Sequence, residues 1–209
     1  MKAQNWKNIG MLVTSAVILA SCCPAPNVAQ VASKPSRAEK IVAAARSQIG
    51  TFYDAAYFSM AYPGGDAPKG RGACTDVIIR ALRAAGYDLQ KLMHEDMTRN
   101  FDLYPSRKKW RMRRTDKNID HRRVPNQMVF FRRFGKELTK EVSPKTLAQW
   151  QPGDIVCWNL NAAGQTHTGI VSDKKSESGV PFVIHNLEVC REENVLSAWK
   201  IIGHFRYPR

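Results

Sequence analysis

One cysteine and two histidines carry the strongest chemical signal in this sequence. Cys74 follows Gly70-Arg71-Gly72-Ala73 and opens a segment in which Val77, Ile78, Ala81, Leu82 and Ala85 recur at helical spacing, with Gly86 as its stop. A thiol attacks carbonyls as its thiolate, and a helix N-terminus favours that anion through its free N–H groups and dipole. The same position also suits a buried structural cysteine, a common fate for this residue type, so a partner must decide. His167 is that partner. It begins the apolar run His167-Thr168-Gly169-Ile170-Val171 directly after a turn, where an imidazole can face a helix start. There it would take the thiol proton and return it to a leaving amine. A third group would fix its tautomer, and the next run, Val183-Ile184-His185-Asn186, offers two. Strand alternation puts His185 and Asn186 on opposite faces, so one of them serves; His185 is favoured.

The elements that must position these groups are helices first and strands afterwards. Ser36-Arg37-Ala38-Glu39 is a capping box leading into a helix stopped at Gly50. A Tyr-, Gly- and Pro-rich loop runs from Thr51 to Gly72, the Cys74 helix follows, and Leu89, Leu92, Met93 and Met97 suggest a third helix. The next stretch reads as loop-rich, then a short helix over Pro125–Phe134, and Ser143-Pro144 reads as a helix N-cap with proline behind it. Beyond Trp150, Asp154–Asn159, His167–Ser172, Phe182–Asn186 and Trp199–Phe205 are β-rich runs between turns, expected as an antiparallel meander. The expected class is α+β, with N-terminal helices packed on one face of a C-terminal antiparallel sheet.

The N-terminus has a different purpose. Lys2 and Lys7 precede an apolar run from Ile9 to Leu19, too short to span a bilayer and soon followed by Pro24 and Pro26. Residues 1–21 are expected to be a signal peptide. Leu19-Ala20-Ser21-Cys22 resembles the bacterial lipobox, which implies that Cys22 is acylated and holds the protein to a membrane, with residues 22–35 as tether and 36–209 as the folded domain. Export, to the periplasm-facing outer membrane, argues against nucleic acid as partner, although the chain carries a net charge of +14. Eleven of its Lys and Arg residues lie between Ser106 and Arg133, opposed there by Asp116 and Asp120 alone, so this segment favours an anionic polymer or headgroups, or is a solvated face. Apart from Cys22 and its neighbour Cys23 three thiols remain, and Cys157 with Cys190 is the pair expected if a disulfide forms, because it spares Cys74.

Asp116-x-Asn118-x-Asp120 alternates oxygen ligands like the start of a calcium loop but lacks the Gly and the distal Glu that complete one, and Cys74, His167 and His185 have no compact zinc spacing. No metal and no cofactor are expected.

Several strings together resemble a known family. Gly50-Thr51 followed by tyrosines, Cys74-Thr75-Asp76, Gln151-Pro152-Gly153-Asp154-Ile155-Val156, His167-Thr168-Gly169-Ile170-Val171 and Ile184-His185 are similar to NlpC-type cell-wall cysteine peptidases, which are papain-like. Tyr62-Pro63-Gly64-Gly65-Asp66, the string from Gly72 to Ala81, and Asn118 to Asn126 resemble more closely the bacterial domain-of-unknown-function family 1287, over residues 36–207. The resemblance implies Cys74 as nucleophile, His167 as base and His185 as its orienting partner, acting on an amide bond of peptidoglycan stem peptides. Tyr62, with Tyr57 behind it, is the expected cleft tyrosine. Asp76, Asp120, His121 and Arg122 are the expected substrate contacts, with an arginine at 122 or 123 gripping a carboxylate. Thr-Asp after the cysteine, and the 93 positions between Cys74 and His167, depart from the NlpC pattern. A non-catalytic wall- or membrane-binding lipoprotein, or a papain-like acyl or amide transferase, would use the same fold.

Overall fold

The Ser36 capping box closes in both directions: Ser36 Oγ accepts the Glu39 N–H at 3.2 Å and the Glu39 carboxylate accepts the Ser36 N–H at 2.7 Å. It starts α1 (Arg37–Arg46), which turns Ile41, Val42 and Ala45 inward. The computed structural model describes Met1 and residues 34–209; the expected signal sequence, most of the tether and the Cys22 acylation site lie outside the described residues. Within them no helix is long and apolar enough to cross a membrane.

The chain leaves α1 through Gly50, whose φ of 92° a side chain would strain. Two short parallel strands, β1 (Phe52–Tyr53) and β2 (Arg71–Gly72), bracket the Tyr-rich loop and deliver the chain to α2 (Cys74–Ala84). α3 (Leu89–Asn100) starts on the Asp88 side chain, which accepts the Gln90 N–H. The basic stretch is less loop-like than expected: it holds α4 (Ser106–Trp110) and a single 3-10 turn, Asp120–Arg122, before α5 (Val124–Phe134).

Six strands then form one antiparallel sheet: β3 (Lys136–Glu137), β4 (Ile155–Asn159), β5 (Thr166–Lys175), β6 (Pro181–Asn186), β7 (Cys190–Glu193) and β8 (Lys200–Arg206), in the order β3-β8-β4-β5-β6-β7. The expected meander holds for β4 to β6; β7, which was not expected, extends it, and β8 departs from it by crossing back to the far edge of β4. Alternation gives the sheet two buried faces. Ile155, Cys157, Ile170, Ile184 and Phe205 pack with α1, α2 and α5, whereas Val156, Trp158, Val171 and Val183 pack with Trp150 and Leu196 under loops. Burying each such side chain contributes roughly 1.5–3 kcal/mol, so both layers hold the strands in register.

Two expectations fail for local reasons. Ser143-Pro144 caps no α-helix: the Thr146 hydroxyl donates to Glu141 O at 2.8 Å and takes the Ser143 N–H at 3.0 Å, closing a tight turn, and only a 3-10 turn follows at Leu147–Gln149. Cys157 and Cys190 are free thiols. They sit on β4 and β7 with β5 and β6 between them, so at ~4.8 Å per strand they are about 14 Å apart, beyond disulfide reach.

Candidate active site

α2 begins where two chain segments are pinned together. Asp76 Oδ2 accepts the Ala73 N–H at 2.6 Å, satisfying a donor that the helix start leaves free. Asn186 Nδ2 donates to Gly72 O at 2.9 Å and to Thr51 O at 3.2 Å, tying the end of β6 to the approach to Cys74. A Cβ at Gly72 would lie 3.0 Å from Asp76 Cβ, so a glycine is needed for this close approach.

The pairing of β5 with β6 begins at Gly169 and His185, which leaves Thr166 to Thr168 without a strand neighbour on that side. The start of α2 comes against this open edge. The Thr168 N–H acts on the Cys74 sulfur, and Thr166 and Cys74 line one cleft of about 330 Å³ together with Tyr53, Trp110 and Arg123. The thiolate expected at a helix start is not the resting species. Burial pushes the Cys74 thiol up to about 12, and the N–H groups of Thr168, Thr75 and Cys74 itself offset only part of that.

His167 and His185 meet. His167 Nε2 lies 2.9 Å from His185 Nδ1, and His185 Nε2 lies 3.4 Å from Glu193 Oε2. Glu193 sits on β7, where the register brings it level with β6. A carboxylate only accepts, so His185 carries its proton on Nε2 and offers the Nδ1 lone pair to His167 Nε2–H. That leaves Nδ1 of His167 as the basic nitrogen. Burial pulls His167 down to about 3 and also lowers His185, so His167 rests neutral. Its ring stacks on Trp158 at 5.6 Å, on the strand side away from the helices, and no hydrogen bond joins it to the Cys74 sulfur among the described residues. The sulfur, at the Thr168 N–H, and the ring thus lie at neighbouring residues of β5 but on opposite faces of the sheet, and His167 does not line the Cys74 cleft.

The expected substrate contacts divide sharply. Arg122 and Asp76 hold each other: Nε and Nη2 meet the carboxylate at 3.0 and 2.8 Å, with side chains 1% and 2% exposed. Arg122 also donates to Ala56 O at 2.6 Å and Asp54 O at 3.1 Å, so this pair clamps the loop to α2 and, although Arg122 lines the Cys74 cleft, leaves a single Nη1 N–H for a ligand. Asp120 is buried, takes the Asp116 N–H at 2.5 Å, and is pushed up to about 6 by burial. His121 is buried with Nδ1 unpartnered and is drawn down by burial to about 3; neither residue lines the Cys74 cleft. Tyr62 packs edge-on to His94 at 5.2 Å, and Tyr57 bonds Asn118 at 2.8 Å, both away from the thiol. The cleft tyrosine is Tyr53, whose hydroxyl is raised by burial and then by Cys74. Its place directly after Gly50-Thr51-Phe52 was the available signal. Glu193 had none, since it depends on strand register. No group of three His, Cys, Asp or Glu residues is placed to hold a metal among the described residues.

A family model described as Domain of unknown function (DUF1287) matches residues 42–207. The Uncharacterized protein YijF of Escherichia coli (strain K12) is 48% identical over 185 residues, covering 87% of this chain and 86% of that protein. Among solved structures, NlpC2 from Trichomonas vaginalis aligns with 84% of this chain and 48% of its own, at 14% identity and a TM-score of 0.45. A Staphylococcus aureus protein described as similar to lipoprotein, NLP/P60 family, aligns with 83% of this chain and 42% of its own, at 16% identity and a TM-score of 0.43. The chain thus spans about half the length of those two structures or less.

Proposed function

The chain belongs to the DUF1287 family, and from that premise we propose that it is an exported, lipid-anchored cysteine amidohydrolase or endopeptidase acting on peptidoglycan stem peptides. The observation that carries this reading is the juxtaposition at the open edge of β5. A thiol at a helix start lines a cleft there, beside a strand whose His167 is bonded to His185.

In the proposed reaction the substrate carbonyl enters beside Cys74. Thiol and imidazole rest neutral, so His167 Nδ1 takes the thiol proton as sulfur attacks. The Cys74 N–H and the Tyr53 hydroxyl face the developing oxyanion. His167 then protonates the leaving amine, and a thioester remains on Cys74. Water, deprotonated by His167, attacks that thioester and releases the acid and the thiol. His185 positions His167 throughout.

The test is digestion of purified sacculi under reducing conditions. Soluble peptides released by the native chain and not by Cys74→Ala are expected. Equal, negligible release by both would end the hydrolase reading for this substrate.

One observation favours a second reading, a wall- or membrane-adhering lipoprotein without turnover. Lys108, Lys109, Arg111, Arg113, Arg114 and Lys117 are exposed and form no ion pair among the described residues, unlike the other five basic groups of the segment. Salt-sensitive binding to sacculi, retained in full by Cys74→Ala without digestion, is its signature.

A further inference from the structure

We propose that Arg123, seated on Trp110 in the wall of the Cys74 cleft, is an anion-binding subsite that receives a carboxylate of the peptide whose amide is cleaved. The inference rests on the cysteine-hydrolase reading and adds to it the charge of the substrate.

Consecutive arginines at 122 and 123 meet opposite fates. Arg122 ends the 3-10 turn, the backbone at Arg123 is extended with φ −115° and ψ 115°, and both residues line the Cys74 cleft. Arg122 spends all but one of its donors on Asp76, Ala56 O and Asp54 O. Arg123 spends almost none. Its guanidinium carbon lies 4.1 Å from the centre of the Trp110 ring, which holds the plane by a cation–π contact. Its Nη1 is buried and has no hydrogen-bond partner. The nearest carboxylate oxygen, Asp120 Oδ1, is 3.7 Å away, too far for a hydrogen bond, and is itself unpartnered. The Arg123 side chain is 16% exposed, and because Nη1 is buried that exposure lies elsewhere on the side chain.

No Asp or Glu lines the cleft itself, the Asp120 carboxylate 3.7 Å from Arg123 lying outside its lining, and Ile119, Val124 and Pro125 make part of the wall apolar. A guanidinium held flat on an indole, with no carboxylate within hydrogen-bond distance, matches a planar carboxylate that accepts two parallel N–H bonds. Thr166 and Cys74 line the same cleft, so the carboxylate would belong to a residue close to the scissile amide.

Iodoacetate and iodoacetamide test this, because they are near-equal in size and differ in carboxylate against amide. The full chain is alkylated with each at low ionic strength, and the rate at Cys74 is followed by peptide mass. The iodoacetate-to-iodoacetamide ratio is expected to fall roughly ten-fold in Arg123→Gln, to stay intermediate in Arg123→Lys, and to be unchanged in the exposed Arg113→Gln. An unchanged ratio in a folded Arg123→Gln would overturn the subsite. Titration with glutarate supplies an independent arm. Binding to the native chain that is lost in Arg123→Gln supports the subsite even if Cys74 accepts neither reagent, in which case it is the hydrolase reading that fails. Equal glutarate affinity in the native chain and in both Arg123 variants, or no binding to any of them, overturns the subsite while leaving the hydrolase reading to the sacculus assay.

Discussion

Nε2 of His167 lies 2.9 Å from Nδ1 of His185, and this contact fixes which way protons run through the site. Because Glu193 faces the other nitrogen of His185 at 3.4 Å, both tautomers follow from one carboxylate. Nitrogen-15 NMR of the full chain should therefore show pyridine-like Nδ1 and pyrrole-like Nε2 on both rings. His185→Ala should lower Cys74-dependent hydrolysis by about 10²–10⁴-fold, with a smaller loss in Glu193→Gln. A doubly protonated His167 at pH 7 would contradict this arrangement.

Tyr53 and Tyr62 separate by position. Removing the hydroxyl that faces the oxyanion should cost kcat about 10- to 100-fold, whereas Tyr62→Phe should stay within about two-fold. Steady-state rates of the two variants on one peptide substrate decide the matter, and equal losses would remove Tyr53 from the reaction.

The Arg122–Asp76 pair should be costly to break and cheap to replace. Asp76→Ala leaves a guanidinium buried without its carboxylate, at about 3–5 kcal/mol, while Asp76→Ala with Arg122→Met should recover much of that loss. Urea midpoints of the single and double variants measure both.

Acid should destabilise the fold. His121 and His167, both drawn down to about 3 by burial, must gain protons that the unfolded chain already binds below about 6.5, so their contribution is lost as pH falls through that window. Asp120, raised to about 6, works in the opposite sense: its folded form holds a proton that the unfolded chain has released above about 4, so it adds stability as pH falls from 6 to 4. Between pH 7 and pH 4.5 the urea midpoint should fall, less steeply in His121→Gln and more steeply in Asp120→Asn.

The free state of Cys157 and Cys190 makes a plain thermal prediction. A bridge between them would contribute about 3 kcal/mol, so a reductant would lower Tm by several degrees if it existed. With both thiols free, Tm should be the same with and without reductant.

Much of the site's framework is local and could be read from the chain. The Ser36 capping box, the stop at Gly86 and the start of α2 at Cys74 depend on neighbours within a few positions, and alternation along Val183 to Asn186 already separated His185 from Asn186. Arg122 and Arg123 were indistinguishable, because each needs to know what stands across from it: Asp76 for one, Trp110 for the other. Tyr53 lost to Tyr62 for the same reason. The paired cysteines failed because strand order, not spacing, sets their separation.

By itself, the order of residues determined that a thiol would open a helix and that two imidazoles would occupy neighbouring strands, since periodicity and caps act over one or two turns of chain. Only the tertiary structure decided the protonation of that thiol. Burial against the open edge of β5 outweighs the helix-start N–H groups and keeps Cys74 neutral, and burial is a property of what the rest of the chain packs around it.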